Sequence, residues 1–422
     1  MEIISAKYVL TMDGEPIEDG AIATEFNKIV EVGKREELIA ANPHATHEEH
    51  PDKVIMPGLI DAHTHLDVVE HSNLLNMATT NTPDFAQWVV SCLRYQEDAP
   101  LDTQMGAVKK ALDTLITNGT TCVGDMTCFD GVFQVIEDAG IRAVVFPQIF
   151  GGAPSKAQDR FEGALAKLDE HMMSEDEMLK VGLGPYSPYL LSKNLLTIIA
   201  RHSKEAGVPL QTHCAESFTE MELFYDSKGP LMETLFPAMG WKGEPPPSYH
   251  KTPIHFLNDI NFLEAGPSIV GGIQLGLKDL SMITRNMCRV VYLPRTNHIL
   301  GHGSFPFGKL REVGIPIGLG TDTLGGPSGL NLWEELRFVN ESVITPMPSP
   351  KELLQMATIG GARALNQEHI IGTLTPGKRA DFIVVDLSEC PTSALVYDSL
   401  IRHTRPHNVR KVVVNGNVLK SA

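Results

Sequence analysis

Long apolar runs are missing from this chain. No window approaches the ~20 apolar residues that a bilayer-spanning helix requires, so a transmembrane protein is not expected. Cysteine is scarce: six in 422 residues, with no CxxC pair. That is a poor disulfide framework for so long a chain and fits a reducing compartment. Positive charge is also in deficit. Lys and Arg number 35 against 52 Asp and Glu, a formal net charge of −17, which disfavours nucleic acid and an anionic membrane surface as partners. The opening stretch "MEIISAKYVLTMDGEPIEDG" has neither a basic start nor an apolar core, so no signal peptide is read and a cytoplasmic protein is expected. No GxGxxG follows the first strand-like run, and no GxSxG or P-loop occurs anywhere, which leaves dinucleotide binding, serine hydrolysis and phosphoryl transfer without support.

What is present is ordinary in bulk, with 42% hydrophobic and 21% charged residues, and well patterned in detail. The two ends share one texture. Residues 1–56 carry β-branched runs broken by turn signals, as in "EIISAKYVLTM" and "GAIATEFNKIVEVG", and residues 368–422 do the same, ending on an Asn-Gly hairpin in "VRKVVVNGNVL". Between them, over residues 57–367, eight short apolar runs alternate with helix-like segments: "GLIDAHTH", "TTCVGDM", "IRAVVFPQI", "LKVGLGPY", "VPLQTHCAE", "SIVGGIQL", "CRVVYLP" and "IPIGLGTD". The segment "TQMGAVKKALDTLITNG" closes on Gly119, and "SKNLLTIIARHSKEAG" begins with Ser192 as N-cap and stops at Gly207. Strand–helix alternation implies a parallel sheet, and eight units imply a closed (β/α)8 TIM barrel. The β-rich ends then pair into a small composite β-sandwich domain built from both termini. An open doubly wound sheet is the alternative.

In such a barrel the chemistry gathers at the C-terminal ends of the strands. The first run ends in His63 and His65, which share a face because strand side chains alternate with period two. The fifth ends in His213 with Glu216 three residues on, and the eighth in Asp322. Two nearby histidines alone would be unremarkable polar residues at a strand end. Three imidazoles and a carboxylate converging on one mouth suit one divalent cation, zinc or ferrous iron. A remaining coordination position would hold a water made acidic by the cation, and Glu216 is placed to shuttle protons, or else to orient a ligand.

These residues resemble the amidohydrolase superfamily, and the likeness runs over nearly the whole chain. "PGLIDAHTH" is similar to its opening signature. "HCAES", "GTD", "PRTNHILGHGSFP" and the run from Gly372 to Phe382 are similar to motifs of its chlorohydrolase and nucleoside-deaminase branch. The resemblance implies His63, His65, His213 and Asp322 as metal ligands and Glu216 as proton shuttle. Asp322 would also accept a proton from the metal's water. The fourth run ends in "GLGPYSPY", without the lysine of two-metal members, so a single metal is implied. The implied reaction is hydrolysis of a non-peptide carbon–nitrogen bond in a small molecule, foremost the deamination of an aminopurine nucleoside such as an S-adenosylhomocysteine-like compound. Hydrolysis of a chlorotriazine, an amide or an N-alkylamine is the alternative, and the resemblance allows a homodimer.

The chain departs from the family at two places. Gly271 stands where the sixth strand of the deaminases carries a histidine, and Pro185-Tyr186-Ser187-Pro188-Tyr189 stands where many relatives have a substrate-reaching histidine. His298 and His302 are the nearest candidates to fill the space beside Gly271. Without such a replacement, the substrate would supply the missing group, or the barrel binds metal or ligand without catalysis. Trp88, Tyr186, Asn297 and His302 are candidate substrate contacts, with a core role equally open to Trp88. Cys214, on the opposite strand face from His213, reads as packing. His44, His47 and His50, bracketed by Pro43 and Pro51, cannot share a helix face and read as a solvated loop. His403 and His407 read as surface or domain-interface residues. The proline-rich segment of residues 236–262 is a candidate lid.

Overall fold

In a computed structural model the eight apolar runs become strands: Leu59–Thr64, Thr120–Thr127, Arg142–Ile149, Leu179–Val181 (continued by Gly184–Pro185), Gln211–Cys214, Ser268–Gly271, Arg289–Tyr292 and Ile317–Leu319. The structure describes residues 1–421 except 70, 72–73, 75, 78–83, 152, 173–176, 242–245, 324–328, 343–345 and 388–391. Sequential strands pair in parallel within two arcs. Two parallel bridges, Leu183 to Leu210 and Thr64 to Asp322, join the arcs. Together they close an eight-stranded barrel. Ala62, Val270, Val291, Leu293 and Ala364 pack together in its interior.

The intervening helices begin and end on the residues that mark them. Lys193–Ala206 starts where the Ser192 hydroxyl accepts from the Leu195 amide at 3.2 Å, and it ends at Gly207. Leu101–Thr117 ends at Asn118, one residue before Gly119. Asp84 caps Phe85–Asp98 by accepting from the amides of Ala86 and Gln87. That helix carries Phe85, Trp88, Cys92 and Gln96 along one buried stripe, the spacing that puts side chains on one helix face.

Strands from both termini form one sheet of seven, in the order Asn417–Ser421, Val409–Val414, Phe382–Asp386, Thr46–Pro57, Glu2–Val9, Ile17–Glu25 and Lys28–Lys34. The sheet curls until Lys28 meets Arg379 in an isolated bridge. Ile22 and Ile29 thereby share a core with Phe382, Val384 and Val413, the arrangement of a composite sandwich. Asn415 and Gly416, with φ of 51° and 79°, make the tight turn between the last two strands. A turn with two positive φ values matches strand twist and favours Asn-Gly. A buried bidentate pair ties this sheet to the barrel: Arg142 donates from Nε to Asp381 at 2.8 Å and from Nη2 at 3.2 Å.

One sequence reading fails here. Residues around His47 and His50 are not a loop but part of the strand Thr46–Pro57, paired in parallel with Glu2–Val9. The His47 ring nitrogen lies 3.0 Å from the Ser5 hydroxyl and that of His50 2.8 Å from Glu48. Pro51 is tolerated because the register shifts at that point: His50 faces Ala6 and Val54 faces Tyr8. Residues 51–53 thus bulge opposite Lys7, and a bulge needs no ladder donor from proline.

Candidate active site

Barrel closure assembles the site. The Asp322 amide donates to the His63 carbonyl at 3.0 Å, and the Thr321 amide and hydroxyl donate to the Asp61 carboxylate at 3.1 and 2.6 Å. The eighth strand's end is thereby held against the first. Asp322 adopts a φ of 56°, a conformation uncommon for a residue with a side chain and typical of functional sites.

His63, His65, His213 and Asp322 are brought together as expected. One ligand atom from each lies within 4.8 Å of all the others, and all four residues are buried. Asp322 Oδ1 is 3.6 Å from His63 Nε2 and 3.7 Å from His65 Nε2, while His65 Nε2 is 3.4 Å from His213 Nε2. Atoms that share one ion at ~2.0–2.2 Å lie within roughly 4.4 Å of each other, and the three distances above fall inside that span. The tautomers fit too. His63 donates from Nδ1 to the Gln211 side-chain oxygen at 2.7 Å, and His65 from Nδ1 to the Met126 carbonyl at 2.5 Å. Both leave a lone pair on Nε2, and His63 Nε2 has no hydrogen-bond partner. Such outer partners fix ring orientation at metal sites. Burial, then the neighbouring His63, pushes His65 well below the ordinary imidazole range and His213 down to about 3. At His65 and His213 these shifts favour the neutral ring, the form that metal ligation requires. Burial alone would raise the Asp322 carboxyl, but the adjacent His63, His65 and His213 outweigh it and hold it below the ordinary range.

Glu216 Oε1 lies 3.2 Å from His213 Nδ1. Burial, then the Asp322 charge, raises its carboxyl well above the ordinary value, which favours the protonated form. The space beside Gly271 is filled by this same side chain. A Cβ on residue 271 would sit 2.2 Å from Glu216 Cγ, 2.8 Å from Oε1 and 2.9 Å from Cδ. Gly271 also has a φ of 90°. Only glycine suits both demands.

The cleft over the cluster is lined by the Phe85–Trp88–Cys92–Gln96 stripe, by Tyr186 and by Thr296 and Leu300 of the loop after the seventh strand. The Tyr186 ring centroid is 4.9 Å from that of His213. Trp88 both lines the cleft and belongs to the core. His302 is buried with its ring edge-on to Phe85, and Asn297 Nδ2 lies 3.2 Å from its Nδ1. His298 is exposed and packs on Phe338 instead, so it does not fill the space beside Gly271. Cys214 is buried in the core, and His403 and His407 are exposed, as read. The candidate lid contributes no described residue to the cleft wall; Phe256 and Tyr249 of that segment pack on Phe224. Residues 242–245 of it lie outside the described residues. Sequence reading missed Gln211, though its signal was there: it lies two residues before His213 and therefore on the same strand face. It also missed Phe85 and Thr296, which only the fold brings to the cleft.

Comparison with known proteins agrees with the geometry. Aminodeoxyfutalosine deaminase of Deinococcus radiodurans is 27% identical over 384 residues, 89% of this chain and 86% of that protein. The 5-methylthioadenosine/S-adenosylhomocysteine deaminase of Caldanaerobacter subterraneus subsp. tengcongensis is 30% identical over 397 residues, 88% of this chain and 82% of that one. Among solved structures, Helicobacter pylori aminofutalosine deaminase in complex with methylthio-coformycin superposes with a TM-score of 0.83 at 24% identity, covering 99% of this chain and 100% of that one. A zinc-bound adenosine deaminase from Xanthomonas campestris gives the same TM-score at 22% identity, covering 99% and 92%. The model of the amidohydrolase family matches residues 54–419, and with barrel, ligand cluster and match in agreement, the chain belongs to the amidohydrolase family.

Proposed function

We propose that this protein is a metal-dependent hydrolase that deaminates an aminopurine nucleoside. The observation that carries the reading is the buried Glu216 carboxyl beside His213, at the edge of the His63, His65, His213 and Asp322 cluster. The names of the relatives, deaminases of aminodeoxyfutalosine, 5-methylthioadenosine, S-adenosylhomocysteine and 5'-deoxyadenosine, support the choice of substrate class.

In this reading His63, His65, His213 and Asp322 hold one divalent metal, and the three-imidazole, one-carboxylate donor set favours zinc over harder cations. Bound there, the metal would lower the pKa of water towards neutrality and so supply the nucleophile. Gln211 and the Met126 carbonyl keep His63 and His65 in the ligating tautomer. Glu216 gives its proton to the ring nitrogen next to the reacting carbon, drawing electrons out of the ring. Asp322 takes one proton of the attacking water, Glu216 takes the other and hands it to the departing amine, and the proton on Asp322 returns to Glu216 as the product leaves. Water's oxygen becomes the ring carbonyl, and the amine leaves as ammonia, so atoms and charges balance. Trp88 and Tyr186 form the apolar sides of the substrate pocket and exclude water from it.

The test is to incubate purified, zinc-loaded protein with adenosine, 5'-deoxyadenosine, 5-methylthioadenosine and S-adenosylhomocysteine and follow ammonia. Turnover of at least one, abolished by chelation and reduced at least ~10²-fold in Glu216→Gln, is expected. No ammonia from any of them would refute the proposal.

A further inference from the structure

Buried polar atoms in folded chains nearly always have partners. Thr296 Oγ1, Asn297 Oδ1 and His302 Nε2 have none, although these residues are 2%, 1% and 4% exposed. All three sit on the helix Pro294–Ile299 and the turn that follows it, at the C-terminal end of the seventh barrel strand. Thr296 lines the cleft over the ligand cluster, and His302 stands edge-on, 4.8 Å between centroids, against Phe85 of the same wall.

The His302 backbone is held at both its amide and its carbonyl. Its amide donates to the Asn297 carbonyl at 2.9 Å, and its carbonyl accepts from Gln274 Nε2 at 2.7 Å. Asn297 Nδ2 is 3.2 Å from His302 Nδ1. An amide nitrogen can only donate, so Nδ1 accepts and the neutral ring carries its proton on Nε2. Burial pushes His302 down to about 4, against the opposing pull of Asp322, so the ring stays neutral at pH 7. The loop therefore offers a donor at His302 Nε2, an acceptor at Asn297 Oδ1 and a hydroxyl of either kind at Thr296. Hydroxyl groups, which donate and accept at once, match that set. Among the described residues lining the cleft there is no Lys or Arg, while Asp322 and Glu216 are acidic. A phosphate on this side of the substrate would find no cationic side chain among them.

We infer that Thr296 and His302, with Asn297 as the residue positioning the imidazole, form the subsite for the uncharged, hydroxylated portion of the substrate, the sugar of a nucleoside. This rests on the deaminase reading above and deepens it.

The experiment is a cycle between enzyme and substrate. Wild type, His302→Phe and the near-isosteric Thr296→Val are assayed with adenosine, its 2'-, 3'- and 5'-deoxy analogues and adenosine 5'-monophosphate. Each variant is expected to raise KM by about 10-fold or more with kcat little changed, the pattern of lost binding. At least one deoxy analogue that is poorer for wild type should lose nothing further in a variant, because the same hydrogen bond is already gone. The monophosphate should have kcat/KM at least ~10²-fold below adenosine. Asn297→Asp, which can only accept, should move the ring proton to Nδ1, read by 15N NMR of the imidazole. Additive losses with every deoxy analogue in both variants, a fall in kcat at unchanged KM, or an unmoved tautomer would overturn the inference while leaving deamination standing. Wild type inactive on every aminopurine nucleoside would overturn the deaminase reading. In that event, His302 15N resonances unperturbed by saturating adenosine would overturn the subsite as well.

Discussion

Replacing Gly271 by alanine adds one methyl group where Glu216 already sits. The new Cβ would stand 2.2 Å from Glu216 Cγ, against ordinary carbon contacts of ~3.5–4.0 Å. Glu216 must therefore retreat by more than ~1 Å. A positive φ of this kind costs an L residue about 1–2 kcal/mol, and overpacking a filled site costs about 1–3 kcal/mol more. With an unfolding entropy of about 2.1 cal/mol/K per residue over 422 residues, the total corresponds to a Tm lower by about 2–6 °C. Displacing the acid by ~1 Å is expected to cost about 10²-fold in kcat. The stability term is isolated by a double-mutant cycle with Glu216→Ala, because all three nearest atoms to the added Cβ belong to Glu216. Without that side chain only the backbone penalty remains, so the two substitutions should couple by about 1–3 kcal/mol. Thermal scans of the four proteins measure the coupling, and ammonia release measures kcat. Strict additivity, or a Gly271→Ala enzyme with wild-type kcat, would show that Glu216 does not depend on the empty Cβ position.

Three other perturbations follow from the same contacts. Gln211→Leu leaves the four ligand side chains in place but frees the His63 ring, so metal affinity measured by chelator competition should fall about 10–100-fold; unchanged affinity would remove Gln211 from the site. Burial raises Glu220 from 4.5 to about 8 while its carboxylate accepts from the Glu216 amide at 2.9 Å. The unfolded chain is then ionised there and the folded chain is not, so stability should fall as pH rises from about 4.5 to about 8, by up to ~5 kcal/mol, and level off above; Glu220→Gln should flatten that slope, and identical pH–stability curves would contradict it. Asp381→Ala leaves the buried Arg142 guanidinium without its counter-charge, and urea unfolding should register a loss of about 3–5 kcal/mol; a loss below about 1 kcal/mol would mean that water replaces the carboxylate.

The strands and helices that could be read from the chain are those whose signal is local. Eight apolar runs separated by periodic segments became the barrel strands, and Ser192 with Gly207 bounded a helix as their chemistry requires. Period-two alternation put His63 and His65 on one face, and strand ends carried His213 and Asp322 to the same mouth, because a closed parallel barrel points all its C-terminal ends one way. Strand pairing between distant segments was not legible. Residues 46–50 looked like a polar loop because nothing nearby shows that Glu2–Val9 lies alongside them or that a bulge accommodates Pro51.

The site divides along the same line. Its ligand types and their spacing belong to the sequence, since residue identity and strand parity depend on nothing far away. What occupies the space beside Gly271 is a tertiary matter. That gap looked like a missing histidine, and packing filled it with the catalytic-acid candidate from the neighbouring strand's end. Between the two histidines offered for that gap, His298 turns out to Phe338 and His302 turns in to Phe85. Only three residues of chain separate them, and their fates differ because burial is decided by what the rest of the fold lays against each face.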